Sequence, residues 1–150
     1  MSALVEKLAG IYADVERFAK TKAITGQGPS FKYTPIEDLA DELRKAMGAA
    51  GIVMVPSRVD VLTNGEAGVT KGGATRWRAV VQVQWDLTDG QDHLTVTSIG
   101  EAIDTGDKSF NKAQTASRKY ALIGAFQLST GEDTDRQHPD PEDRAARPTA

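Results

Sequence analysis

The sequence predicts an α+β fold: two N-terminal helices, a curved antiparallel meander of three to four strands, then a long basic helix. Three observations carry this. Apolar residues recur at steps of three and four over the first fifty positions, switch to a period of two between Ile52 and Ile99, and return to helical spacing after Gly106. Helices segregated from a run of strands indicate helices layered on one face of an antiparallel sheet.

Leu4, Leu8, Ile11, Tyr12, Val15 and Phe18 form the apolar stripe of the first helix, which Lys20 and Lys22 close. Gly26-Gln27-Gly28-Pro29-Ser30 reads as a loop, followed by a short extended piece at Phe31-Lys32-Tyr33. Thr34-Pro35-Ile36-Glu37 then offers an N-cap, a proline at the first helical position and a capping-box glutamate. The second helix continues through Leu39, Leu43 and Met47 and stops at Gly48 or Gly51. Strand character begins at Ile52–Val55 and resumes at Val59–Leu62, with a bend at Pro56 and a turn at Asn64-Gly65. Trp77, Ala79, Val81, Val83, Trp85 and Leu87 alternate with Arg76, Arg78, Gln82, Gln84 and Asp86, so one face of a long strand is dry. Both tryptophans share the inward parity and read as packing residues. Asp89-Gly90 marks a tight hairpin to a partner strand at His93–Ile99, and Gly100 leads out of the sheet.

The last helix separates charge from apolar surface. With successive residues about 100° apart and Lys108 at zero, Lys112 falls near 40°, Thr115 near −20° and Lys119 near 20°. Phe110, Ala113, Ala116, Tyr120, Ile123 and Gly124 fall between roughly 60° and 200° on the same ideal wheel, the side expected to meet the core. Gly106 gives a sharp entry, Thr105 and Asp107 are N-cap candidates, and free N–H groups at the helix start favour an anion. A polyphosphate or a nucleic-acid backbone fits such a surface. Gly100 with Gly106-Asp107-Lys108-Ser109 is not a P-loop, because five residues separate the glycines and Asp107 stands where the lysine belongs.

The chain of 150 residues suits one domain at 1–130 with a charged, Pro-rich tail at 131–150 that is expected to be disordered. Absent cysteine excludes disulfides and thiol catalysis, and two histidines, His93 and His138, do not make a structural zinc set. No apolar run approaches a membrane span and the N-terminus has no signal-peptide character, so a soluble cytoplasmic protein is expected. Net charge is −3, yet the tail carries six acids and three arginines, leaving 15 acids and 15 basic residues before it. An electroneutral body still binds a polyanion when its cations are gathered on one surface.

Phe31-Lys32-Tyr33 before a Thr-Pro-Ile-Glu helix start, Gly100 to Asp104, Gly106-Asp107-Lys108, Lys112-Ala113, Thr115, Arg118-Lys119-Tyr120-Ala121 and Asp133 to Asp135 together resemble the Erf (essential recombination function) family of phage single-strand annealing proteins. The resemblance spans most of residues 1–135. It implies a β-β-β-α annealing core, assembly into rings or arcs, ATP-independent pairing of complementary DNA strands without a cofactor, and a phage or prophage setting in a bacterial host.

Annealing requires a grip on phosphate that leaves base edges free. Lys108, Lys112 and Lys119 suit that grip, with Thr115 on the same stripe and Arg118 at its margin. Lys32, Arg76 and Arg78 are secondary candidates, and the acidic tail is a candidate contact for a single-strand binding protein. Two other readings stay open: a solvated helix face or binding scaffold without annealing activity, and a metal-dependent nuclease using Glu101, Asp104 and Asp107.

Overall fold

The computed structural model describes residues 2–128 apart from 26–35, with side chains through residue 17 in the first helix and from residue 36 onward. Its elements are α1 (Ala3–Thr25), α2 (Ile36–Ala49), β1 (Val53–Val69), β2 (Thr75–Thr88), β3 (His93–Asp104) and α3 (Ser109–Phe126). The strands form one antiparallel sheet in the order β1-β2-β3. The expected α+β class and element order are observed, with three strands among the described residues. The expected loop, Lys32 and the Thr34-Pro35 helix start lie outside the described residues, as does the tail.

Each helix end has a local cause. Ser2 starts α1, its Oγ accepting the Val5 N–H at 3.2 Å. At the end of α2, Gly51 N–H donates to Gly48 C=O and Ile52 N–H to Met47 C=O, and Gly51 takes a φ of +77°. This paired pattern satisfies the last carbonyls, and it places Ile52 against Met47, both buried. Of the α1 stripe, Leu4 and Ile11 are buried while Tyr12 is exposed, so the stripe is narrower than expected.

β1 runs straight through Asn64-Gly65, where a turn was expected. Val59 pairs with Val83 and Val61 with Val81, a register that centres the hairpin near Lys71-Gly72. The chain reverses there instead, between Thr70 and Ala74, with Gly73 at a φ of +91°. An Asn64-Gly65 turn would have left Trp77 to Ala79 without their β1 partners. The bend at Pro56 is a bulge at Ser57, whose Oγ donates to the Gln84 carbonyl. The β2–β3 turn falls at Asp89-Gly90 as expected, and one Asp89 oxygen accepts the N–H groups of both Gln91 and Asp92.

β3 is longer than expected. Gly100 does not leave the sheet; it pairs with Val81, and β3 continues to Asp104. Its missing side chain serves α3. A Cβ built on Gly100 would collide with the Ala113 carbonyl oxygen and stand 2.6 Å from the Ser117 nitrogen, both backbone atoms that cannot swing away. The facing row of α3 is Ser109, Ala113, Ser117 and Ala121, all buried and all small. Ser117 anchors the contact: its Oγ accepts from Trp85 Nε1 at 3.3 Å, and its carbonyl accepts from Ser98 Oγ at 2.6 Å.

Two cores result. Ala79, Val81, Val83 and Trp85 lie beneath α3, while Leu4, Leu39, Leu43, Ile52, Leu87 and Phe126 fill the space between α1, α2 and the near end of the sheet. α3 covers β2 and β3 and makes little contact with β1. Trp77 therefore keeps the inward parity expected of it but lies beyond the helix, 39% exposed against 5% for Trp85. Only Trp85 is a core residue.

Gly100→Ala should lower stability by about 1–3 kcal/mol or more, because the helix must lift from the sheet. Gly124→Ala, where an added Cβ meets nothing, should stabilise by up to about 1 kcal/mol. Denaturant midpoints of the two variants should move in opposite directions.

Candidate nucleic-acid interface

The close α3–sheet contact dictates where the helix points its cations. The entry to α3 is held from the strand before it: Asp104 Oδ2 accepts the N–H groups of Gly106 at 3.0 Å and Lys108 at 3.4 Å, and Oδ1 accepts from Lys112 Nζ at 2.5 Å. Lys108 occupies the N-cap position with no side-chain cap, so neither Thr105 nor Asp107 fills the role expected of it. Asp104 closes this loop instead, because the last residue of β3 already faces the helix. The hydrogen bond from Lys112, then those from the two backbone groups, hold the Asp104 carboxyl below the ordinary carboxylate range.

Lys112, Thr115, Arg118 and Lys119 project from α3 towards α2. With Ile36, Glu37 and Ala40 they line a groove of about 300 Å³. Lys108 is exposed at the start of the same helix. Thr115 Oγ1 donates to the Asn111 carbonyl, which fixes its hydroxyl at the groove wall. Arg118 and Lys119 make no ion pair with any described residue. Arg118 and Lys119 are thus without a carboxylate partner among the described residues, while Lys112 shares its ammonium with Asp104.

The apolar side of the helix differs in detail from the wheel. Phe110 packs against the sheet core as expected. Tyr120, expected in the core, is 52% exposed, and its ring lies 5.3 Å from the Lys119 ammonium. Gly124 is exposed as well. The reason is rotational: a contact row with four-residue spacing drifts by about 40° per step, so the row through Ser109, Ala113, Ser117 and Ala121 carries Tyr120 away from the sheet. Beyond Ala121 the helix turns Leu122 and Phe126 into the other core.

Arg76 and Arg78 do not join the groove. Arg76 and Arg78 alternate with the inward residues of β2, so they lie on the sheet face opposite α3. Arg78 Nε donates to Glu101 Oε1 at 2.6 Å, which raises the guanidinium pKa and lowers that of the carboxyl. Glu101 and Asp104 thus project from opposite faces and bond to different cations. The carboxylate cluster of Glu101, Asp104 and Asp107 does not converge, and no metal-binding group of three acidic or histidine residues occurs among the described residues. Arg44 was missed from the sequence: it lies on α2 and, with Arg118, lines a second cavity of about 300 Å³ beside the first. Its only sequence signal is a place on the polar side of a helix, which most surface arginines share.

Because folding lowers the Asp104 pKa, the stabilisation is complete above the unfolded value, about 4, and is lost as pH falls through the folded value. Asp104→Asn should therefore lower the melting temperature at neutral pH and flatten its acid dependence below about pH 4. Melting curves of both proteins across that range check this.

No helix among the described residues is long and apolar enough to cross a membrane. Comparison with curated proteins yields no match. The family model of the ERF superfamily, in contrast, matches residues 4–150, nearly the whole chain and every element described above. The chain belongs to the ERF superfamily.

Proposed function

We propose that the chain is a single-stranded DNA-binding and annealing protein that promotes ATP-independent pairing of complementary strands in phage-type homologous recombination. The observation that carries this is the opposition of two rows on α3: small residues pressed on the sheet, and cations along the α2–α3 groove. A surface that grips phosphate without reading base edges holds a strand in any sequence and leaves its pairing edges free.

Lys112, Arg118 and Lys119 contact successive phosphates, Lys108 extends the row at the helix start, and Thr115 lends its hydroxyl hydrogen where a phosphate oxygen takes the place of the Asn111 carbonyl. The Asp104 pairing does not remove Lys112 from this role, because an ammonium has three donors and the carboxylate takes one. Asp104 then acts as a brace that fixes where the ammonium points. Arg76 and Arg78 belong to the reverse face and contribute no contact in this groove.

A few phosphate contacts per subunit give weak binding that repetition along a strand makes strong. Assembly into a ring or arc supplies the repetition, and the two sheet edges, β1 and β3, which have no strand partner among the described residues, are available to neighbouring copies. The acidic segment from Glu132 to Asp143 is placed in sequence to engage a single-strand binding protein. Chemistry on the DNA is not part of this reading, since two of the three acids that a nuclease would need, Glu101 and Asp104, are paired with Arg78 and Lys112 on opposite sheet faces.

Complementary oligonucleotides mixed with the protein in EDTA and without nucleotide should anneal faster than alone. Unchanged annealing with retained binding would leave a coating protein, and loss of DNA restored by Mg²⁺ would indicate a nuclease. Lys112→Ala with Lys119→Ala should weaken single-strand binding at least tenfold and reduce the salt slope by about 1.4, two phosphate contacts' worth. An unaltered slope in a folded variant would place the strand elsewhere.

A further inference from the structure

The cavity beside the phosphate groove has a different character. It shares Ala40 and Arg118 with that groove, but Met47, Ile52, Met54 and Leu122 make its wall apolar. Its two charged members, Arg44 and Arg118, are exposed and make no ion pair with any described residue. At about 300 Å³ it stands at the lower limit of small-molecule cavities, a size suited to one ring system.

Few ligands need an apolar slot flanked by two unpaired guanidiniums and continuous with a row of phosphate-binding cations. A nucleobase does: its faces are apolar and polarisable, guanidinium planes stack on them, and it is tethered to a phosphate on either side. We infer that this cavity seats one nucleobase of the bound strand, with Arg118 reaching from the base to the adjoining phosphate. The inference rests on the annealing reading and deepens it. Each subunit then holds the strand in two ways, by charge along α3 and by one base tucked between α2, α3 and the start of β1. The tucked base is withheld from the incoming strand, while its neighbours along the cationic row remain open.

Gly48 gives a clean way to close the seat. It lines the cavity from α2, and an added Cβ there meets nothing within 4 Å. Leucine is also a better helix former than glycine, so Gly48→Leu should melt at or above the wild-type temperature with every cation in place. The probes are an oligodeoxythymidylate and an abasic deoxyribose-phosphate strand of equal length.

Wild-type protein should bind the thymidylate strand about tenfold tighter than the abasic one, the scale of a single stacked base. Gly48→Leu should bind the thymidylate strand about tenfold more weakly, with abasic binding and the salt slope unchanged. Arg44→Ala should show the same selectivity for the strand that carries bases, which keeps the test valid if the leucine variant folds poorly. Equal losses on both probes, or none on either, would overturn the base seat. Should Lys112→Ala with Lys119→Ala weaken both probes while Gly48→Leu weakens neither, the phosphate groove stands and the seat alone fails. If the lysine pair alters neither probe, the annealing reading itself fails.

Discussion

The contact between α3 and β3 at Gly100 governs the geometry of everything on the cationic side of the molecule. Backbone meets backbone there, with the Ala113 carbonyl and the Ser117 amide sitting where a side chain would otherwise stand. Such an approach is possible only because one partner is glycine and the other presents serines and alanines every four residues. It is also directional. Trp85 Nε1 and Ser98 Oγ both bond to Ser117, one at its hydroxyl and one at its carbonyl, so the helix can neither roll nor slide without leaving buried polar groups unmatched. With roll fixed, Lys112, Arg118 and Lys119 have one direction left, across to α2.

α2 completes the arrangement from the other core. Leu39, Leu43 and Met47 bury their side chains with Leu4, Ile52 and Phe126, which holds α2 beside α3 with a gap instead of a packed interface. Both walls of that gap are thus set by packing elsewhere in the fold, not by contact across the gap itself. Asp104 contributes to the same economy at one end, binding two backbone amides and one ammonium so that the helix entry and its first groove cation are set together.

Much of this was legible in the sequence because it follows from local periodicity. The segregation of cations on the last helix, the dry face of β2, the Asp89-Gly90 turn and the α+β order all depend on neighbours a few positions away. What escaped depends on distant partners. Asn64-Gly65 has the composition of a turn, yet the pairing of Val59 and Val61 with β2 places the reversal further on. Gly100 looked like an exit from the sheet because nothing nearby reveals that a helix lands on it. Tyr120 and Trp77 have the right parity for burial, but one is rotated out by drift of the contact row and the other lies past the end of the covering helix. Arg44 acquires its place only when α2 meets α3.

The kinks of β1 govern what that strand can do with the edge turned away from β2. Register shifts after Pro56, Val61 and Glu66 divide it into in-phase runs of four residues, Val53–Pro56, Arg58–Val61 and Thr63–Glu66. A foreign strand laid alongside would fall out of step at each break, losing its amide-to-carbonyl match before a long ladder could grow. A seventeen-residue rim that would otherwise template open-ended stacking is thereby limited to short contacts of one in-phase run at a time.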